Sequence, residues 1–449
     1  MNHRPKPVQR LKTVFRALRH RNYRLFFTGQ SISLVGTWMQ RVALGWLVYR
    51  LTDSVFLLGL VGFAGQIPAF LFAPIAGVLA DRWNKQHIII LTQVAAMIQA
   101  FILSLLVLTD LVHIWHIIVL SFFLGLINAF DMPVRQSFVV EMIDDKKDLG
   151  NAIALNSSMV NSARLLGPSI AGILIALIGE GPCFLLNAIS YLPVIASLLL
   201  MRIARKSSKS PASKIWKGLK DGFTYASGFE PIRTILLLIG LVSLMGMPYI
   251  VLMPVFARDI LLGGPHTLGF LMGSAGLGAL AGAIYLASKN TVLGLGRMIP
   301  LAAALLGISL IAFSFSSMMW ISLVLMLTTG FGQMVQMASS NTILQTIVDD
   351  DKRGRVMSFY TLSFMGITPL GSLAAGYLAS IIGAPWTLAL GGLACIFGAA
   401  LFTKRLPAIR QKIRPIYVNM GILPEIARGI QRATEPTVTA KNTGDPSSR

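Results

Sequence analysis

The feature that most constrains this chain is a series of twelve long apolar runs, at about 24–49, 55–79, 87–109, 115–141, 150–178, 182–202, 233–256, 267–288, 297–315, 319–346, 355–381 and 386–403. About 20 apolar residues, rising 1.5 Å each, cross the roughly 30 Å hydrocarbon core of a bilayer. No water is present there to pair backbone amides, so such a run folds as a helix, whose hydrogen bonds are internal. Composition argues against a soluble protein. Of the 449 residues, 54% are hydrophobic and 13% charged, with a mean hydropathy of +0.69. Soluble domains carry about a quarter charged residues. The expectation is an all-α membrane protein with twelve transmembrane helices.

On a soluble protein, a net charge of +21 would point to nucleic acid. Here the charge sits in alternate gaps between the runs. All but five of the 39 Lys and Arg fall on the side of the N-terminus; Arg50 and Arg258 lie in gaps of the other side, and Arg41, Arg135 and Arg164 lie inside helices. Such a bias marks the cytoplasmic face, where anionic headgroups attract Lys and Arg. It predicts cytoplasmic termini in a bacterial inner membrane, the bilayer as partner and no nucleic acid. The first run lacks a following A-x-A-type site and is expected to remain as a helix. Cys183 and Cys395 lie in apolar runs and make neither a disulfide framework nor a metal spacing.

The domain organisation expected is a basic N-terminus (1–23), a six-helix bundle (24–203), a cytoplasmic linker (204–232), a second six-helix bundle (233–403) and a cytoplasmic tail (404–449), disordered from about 434. Within the linker, Ile215, Trp216, Leu219 and Phe223 share one helical face opposite lysines, as in a helix lying on the membrane surface. The halves read as copies. At an offset of 204 residues, Gly150, Gly167, Gly172 and Gly179 fall on Gly354, Gly371, Gly376 and Gly383. Two parallel six-helix repeats with a substrate site between them near the midplane are one transporter plan.

Ionisable and amide side chains inside spans are costly, and so are functional candidates. In helix 4, Asp131 and Arg135 are spaced i, i+4 around Pro133. They read either as a proton-coupling pair or as a fixed structural ion pair. Arg41 in helix 1 suits an anionic or carbonyl-rich substrate, or else a neighbouring helix. Gln30, Gln40, Asn128, Gln333 and Gln336 are candidates for the cavity wall, or polar glue between helices. Tyr249, flanked by Met245 and Met253, offers an adaptable apolar wall. No Walker-type loop or nucleophile triad is present, so neither an ATP-driven pump nor an enzyme is expected.

Two motifs and a longer stretch carry a resemblance. Residues 77–85 read G-V-L-A-D-R-W-N-K, 164–172 read R-L-L-G-P-S-I-A-G, and 22–54 run N-Y-R-L-F-F-T-G-Q to L-T-D-S. Together they resemble the major facilitator superfamily, in the branch that includes the enterobactin exporter and related siderophore and drug exporters. The resemblance implies that Gly77, Asp81, Arg82 and Lys85 latch the cytoplasmic side, although Asn84 stands where the family usually has Gly. It implies that Arg164, Gly167, Pro168 and Gly172 form a helix-5 motif associated with antiport. It further implies export of a small organic molecule by a monomer, driven by the proton gradient without a bound cofactor. The alternatives are uptake of a siderophore or nutrient, movement of a lysolipid, or a non-transporting membrane sensor.

Overall fold

The computed structural model describes residues 15–72, 83–202, 223–289 and 291–422. Its long helices are α1 (Arg21–Thr52), α2 (Val55–Phe72), α3 (Lys85–Leu108), α4 (Ile114–Glu141), α5 (Leu149–Ile178), α6 (Glu180–Leu199), α7 (Glu230–Ile260), α8 (Pro265–Ala287), α9 (Leu295–Ser314), α10 (Met319–Ile347), α11 (Asp351–Ile382) and α12 (Ala384–Asn419). Eleven are long and apolar enough to cross a membrane by that measure alone. The remaining one, α1, has four arginines in its 32 residues and is held inside the bundle by α5 and α6. The protein is a multi-pass helical membrane protein. Exposed Leu, Ile and Phe cover its flanks, as lipid-facing helices require.

Local chemistry sets several helix ends. Asn84 caps α3, its Oδ1 accepting from Gln86 N at 2.9 Å and His87 N at 3.4 Å. Ser54 Oγ caps α2 by accepting from Leu57 N at 3.3 Å. The α5–α6 and α11–α12 connections are each a single residue, Gly179 at φ 81° and Gly383 at φ 85°. Only glycine takes such dihedrals without steric cost.

Two helices differ from expectation. α12 does not stop near 403 but continues to Asn419 through Pro407 and Pro415. Leu406, Ile409, Ile413 and Tyr417 are buried along one stripe of the extension, and Lys412 Nζ pairs with Glu230 Oε2 at 2.7 Å. Charge at Lys404 marks the end of the apolar run, whereas amphipathic packing carries the helix further. α7 is interrupted by i→i+5 turns over Val242–Gly246 and Phe256–Ile260. The first of these turns breaks the face expected to carry Met245, Tyr249 and Met253. Met245 is exposed, whereas Tyr249 and Met253 are buried. Of the surface helix expected near the linker, only Phe223 lies among the described residues. Gly77, Asp81, Arg82 and the tail beyond 422 lie outside them.

The halves meet along two glycine seams. At α5–α8, a Cβ added to Gly172 would stand 2.8 Å from Gly269 Cα. At α2–α11, one added to Gly376 would stand 2.7 Å from Gly59 Cα. Lipid leaves no hydrophobic drive for helix pairing, so backbones gain stability by approaching closely over small residues. Both seams lie nearer the end of the bundle that carries Asp53 and Arg258. At that end Arg258 Nη1 reaches Asp53 Oδ1 at 2.5 Å, and the Tyr49 hydroxyl donates to Asp259 Oδ2.

Candidate functional site

The first half holds a buried charge network. Asp131 is 3% exposed and accepts from Gln93 Nε2 at 2.8 Å, Thr92 Oγ1 at 3.0 Å and Arg135 Nη2 at 3.1 Å. These donors come from α3 and α4, so the network ties two helices of one half together. Four-residue spacing on α4 puts Asp131 and Arg135 on one face.

Gln40 sits in a second network of the same half. Its Nε2 donates to Gln99 Oε1 at 3.0 Å, and Asn187 Nδ2 donates to its Oε1 at 2.5 Å. Thus Gln40 joins α1 to α3 and α6 and points away from the space between the halves. Gln30 is buried with Oε1 unpartnered, and Asn128 is half-buried on α4.

Five helices converge where the halves touch. Arg164 of α5 donates through Nη2 to Gln333 Oε1 of α10 at 3.0 Å, and the Tyr249 hydroxyl of α7 donates to the same oxygen at 3.4 Å. Gln333 Nε2 points at Met247 Sδ. Trp38 of α1 packs over Gly167 of α5, and the backbone of Arg164 lies against Gly276 of α8. The Trp38 ring lies 5.8 Å from the Arg164 guanidinium and 4.7 Å from that of Arg41. One turn beyond Gln333, Gln336 is 1% exposed, with both amide atoms unpartnered. Arg41 is exposed. It shares its side of α1 with Trp38 and Gly45, which touch α5 and α7, so that exposure is to the space between the halves.

The helix-5 motif divides by role. Gly167 and Gly172 let α5 approach α1 and α8, Pro168 lies within the helix, and Arg164 reaches across to the second half. Of the expected latch, only Lys85 is described. Its Nζ pairs with Glu141 Oε1 at 2.7 Å, within the first half. The cross-half contacts at the opposite end, Asp53–Arg258 and Tyr49–Asp259, were not anticipated from sequence. The one available signal was Arg258, which breaks the charge bias. An apolar groove of about 720 Å³ between α3 and α4 includes Trp83 and Phe130 in its walls and belongs to the flank of the first half.

Residues 12–419 match a family described as transmembrane secretion effector. The chain is 27% identical over 374 residues to the staphyloferrin A transporter of Staphylococcus aureus, covering 83% of this chain and 93% of that protein. It is 25% identical over 385 residues to the multidrug efflux pump Tap of Mycolicibacterium fortuitum, with coverage of 83% and 93%. A solved bacterial homologue of the iron transporter ferroportin, in its inward-facing state, superposes with a TM-score of 0.66 at 17% identity, covering 86% of this chain and 98% of that one.

Proposed function

The chain belongs to the transmembrane secretion effectors of the major facilitator superfamily, which are transporters and not enzymes, and on that premise we propose that it exports a small organic molecule of the siderophore or drug-like class across the bacterial inner membrane. The observation that carries this reading is the Arg164–Gln333–Tyr249 junction. It is a polar contact between the halves, set deep among apolar helices, where alternating access requires a site. The names of the relatives, a siderophore transporter and a multidrug efflux pump, support the substrate class and the direction.

In this reading the termini are cytoplasmic and the seams shut the outer end. The halves rock about the junction, and one chain suffices for the pathway. The proton gradient supplies the energy, and Asp131 with Arg135 is the coupling pair. Breaking their 3.1 Å contact in the other state would free the carboxylate to take a proton.

The test is flux in inside-out vesicles, with and without an imposed proton gradient, over a panel of siderophores and hydrophobic dyes. Gradient-dependent accumulation is expected. Accumulation confined to right-side-out vesicles would overturn the export direction. Unaltered gradient dependence in Asp131→Asn would overturn the coupling role.

A further inference from the structure

The membrane interior of the first half contains three arginines, Arg41, Arg135 and Arg164, and one carboxylate, Asp131. Arg135 is paired with Asp131. Neither Arg41 nor Arg164 has a carboxylate within ion-pairing distance among the described residues. Arg164 spends one donor on a neutral amide, and Arg41 has only the Trp38 ring face. The two cations share that one ring, which brings Arg41 and Arg164 close together.

Like charges at this depth are expensive, because the surrounding helices and lipid screen them poorly. A ring face returns about 0.5–2 kcal/mol per cation. Arg164 is half-buried and Arg41 is open to the space between the halves, so both guanidinium groups stay within reach of a ligand. An arrangement costly when empty is stabilised by a ligand that brings negative charge. A second observation points the same way. The buried amide of Gln336 has no partner among the described residues, yet it lies one turn from Gln333, to which Arg164 is bonded. It supplies a donor and an acceptor for the polar remainder of a ligand.

We propose that the transported molecule is an organic anion, with carboxylate groups held between Arg41 and Arg164 against the Trp38 face and amide or hydroxyl groups on Gln336. This deepens the transport reading and rests on it. Arginine suits the task, since its fork pairs with a carboxylate in two parallel hydrogen bonds.

The experiment uses the purified full chain in neutral detergent, with citrate as the anionic probe and ethidium as the cationic one. Titration calorimetry measures binding, and thermal unfolding measures protection. Citrate is expected to bind and to raise the unfolding temperature, with ethidium doing neither. Arg41→Gln and Arg164→Gln should each weaken citrate at least tenfold, and Arg41→Lys less. Without ligand, Arg41→Gln should raise the unfolding temperature, because it relieves repulsion. The proposal is overturned if ethidium binds and citrate does not, if citrate affinity survives both Gln variants, or if Arg41→Gln lowers the unfolding temperature of the empty protein. Citrate binding without flux of any compound would sink the transport reading and leave the anion site. Flux of ethidium without citrate binding would do the reverse.

Discussion

Gly167 and Gly172 on α5 do for the first half what Gly371 and Gly376, each 204 residues later, do on α11 for the second. Gly167 lies against α1 and Gly172 against Gly269 of α8, whereas Gly371 lies against Leu244 of α7 and Gly376 against Gly59 of α2. Gly179 and Gly383 then turn the chain with nearly the same φ. The scaffold is therefore repeated to the level of single contacts. The polar chemistry placed on it is not. Arg164 of α5 corresponds to Thr368 of α11 at the same offset, and α8 and α10 contain no Asp, Glu, Lys or Arg. One half carries the charge, and the other presents amides and a phenol to it. A repeat can hold its backbone seams while its interior side chains diverge, because the seams need only small residues, whereas a ligand meets each half with different groups.

The largest expected effect tests the charged half. Asp131→Asn leaves the half-buried Arg135 without its counter-ion, a loss of up to about 3 kcal/mol. Thermal unfolding should show a large drop, mostly restored in Asp131→Asn with Arg135→Gln. A neutral single variant would erase the contrast between the halves. Next come the seams. Gly172→Val and Gly376→Val should each cost about 1–3 kcal/mol through overpacking, and by similar amounts if the repeat is real. A loss at one seam alone would break the equivalence.

Smaller is the exposed ion pair across the halves. Asp53→Asn should cost at most about 1 kcal/mol, with a difference that shrinks as salt rises. Comparable in scale is the cluster below α1, where His20 bonds Asp148 at 3.0 Å and Asp144 at 3.3 Å. Burial alone would lower the His20 pKa, but the hydrogen bonds and charges of the two aspartates outweigh it and hold the value above the ordinary 6.5. Its contribution to stability is therefore complete below pH 6.5 and is lost as pH rises through the raised value. His20→Asn should flatten that part of a stability–pH profile, and an unchanged profile would remove His20 from the account. Smallest is Gln336→Leu in the neutral half. Its amide has no partner among the described residues, so thermal stability should hold or rise slightly.

The twelve spans, the two halves, the glycine repeat and the crowding of charge into one half were legible in the chain. Each follows from a rule that acts locally or by counting. Apolar length forces helices in lipid, and recurrent glycines mark close backbones. Only the packed structure decided which polar side chains reach the space between the halves. Gln40 and Arg41 are adjacent on α1 and were equal candidates for the cavity. About 100° of helical rotation separates neighbouring residues. It turns Gln40 into Gln99 and Asn187, and Arg41 into the space between the halves. The i→i+5 turn in α7 similarly separated Met245 from Tyr249. Sequence spacing fixes which residues share a face of one helix, but what that face meets depends on how the other eleven pack around it.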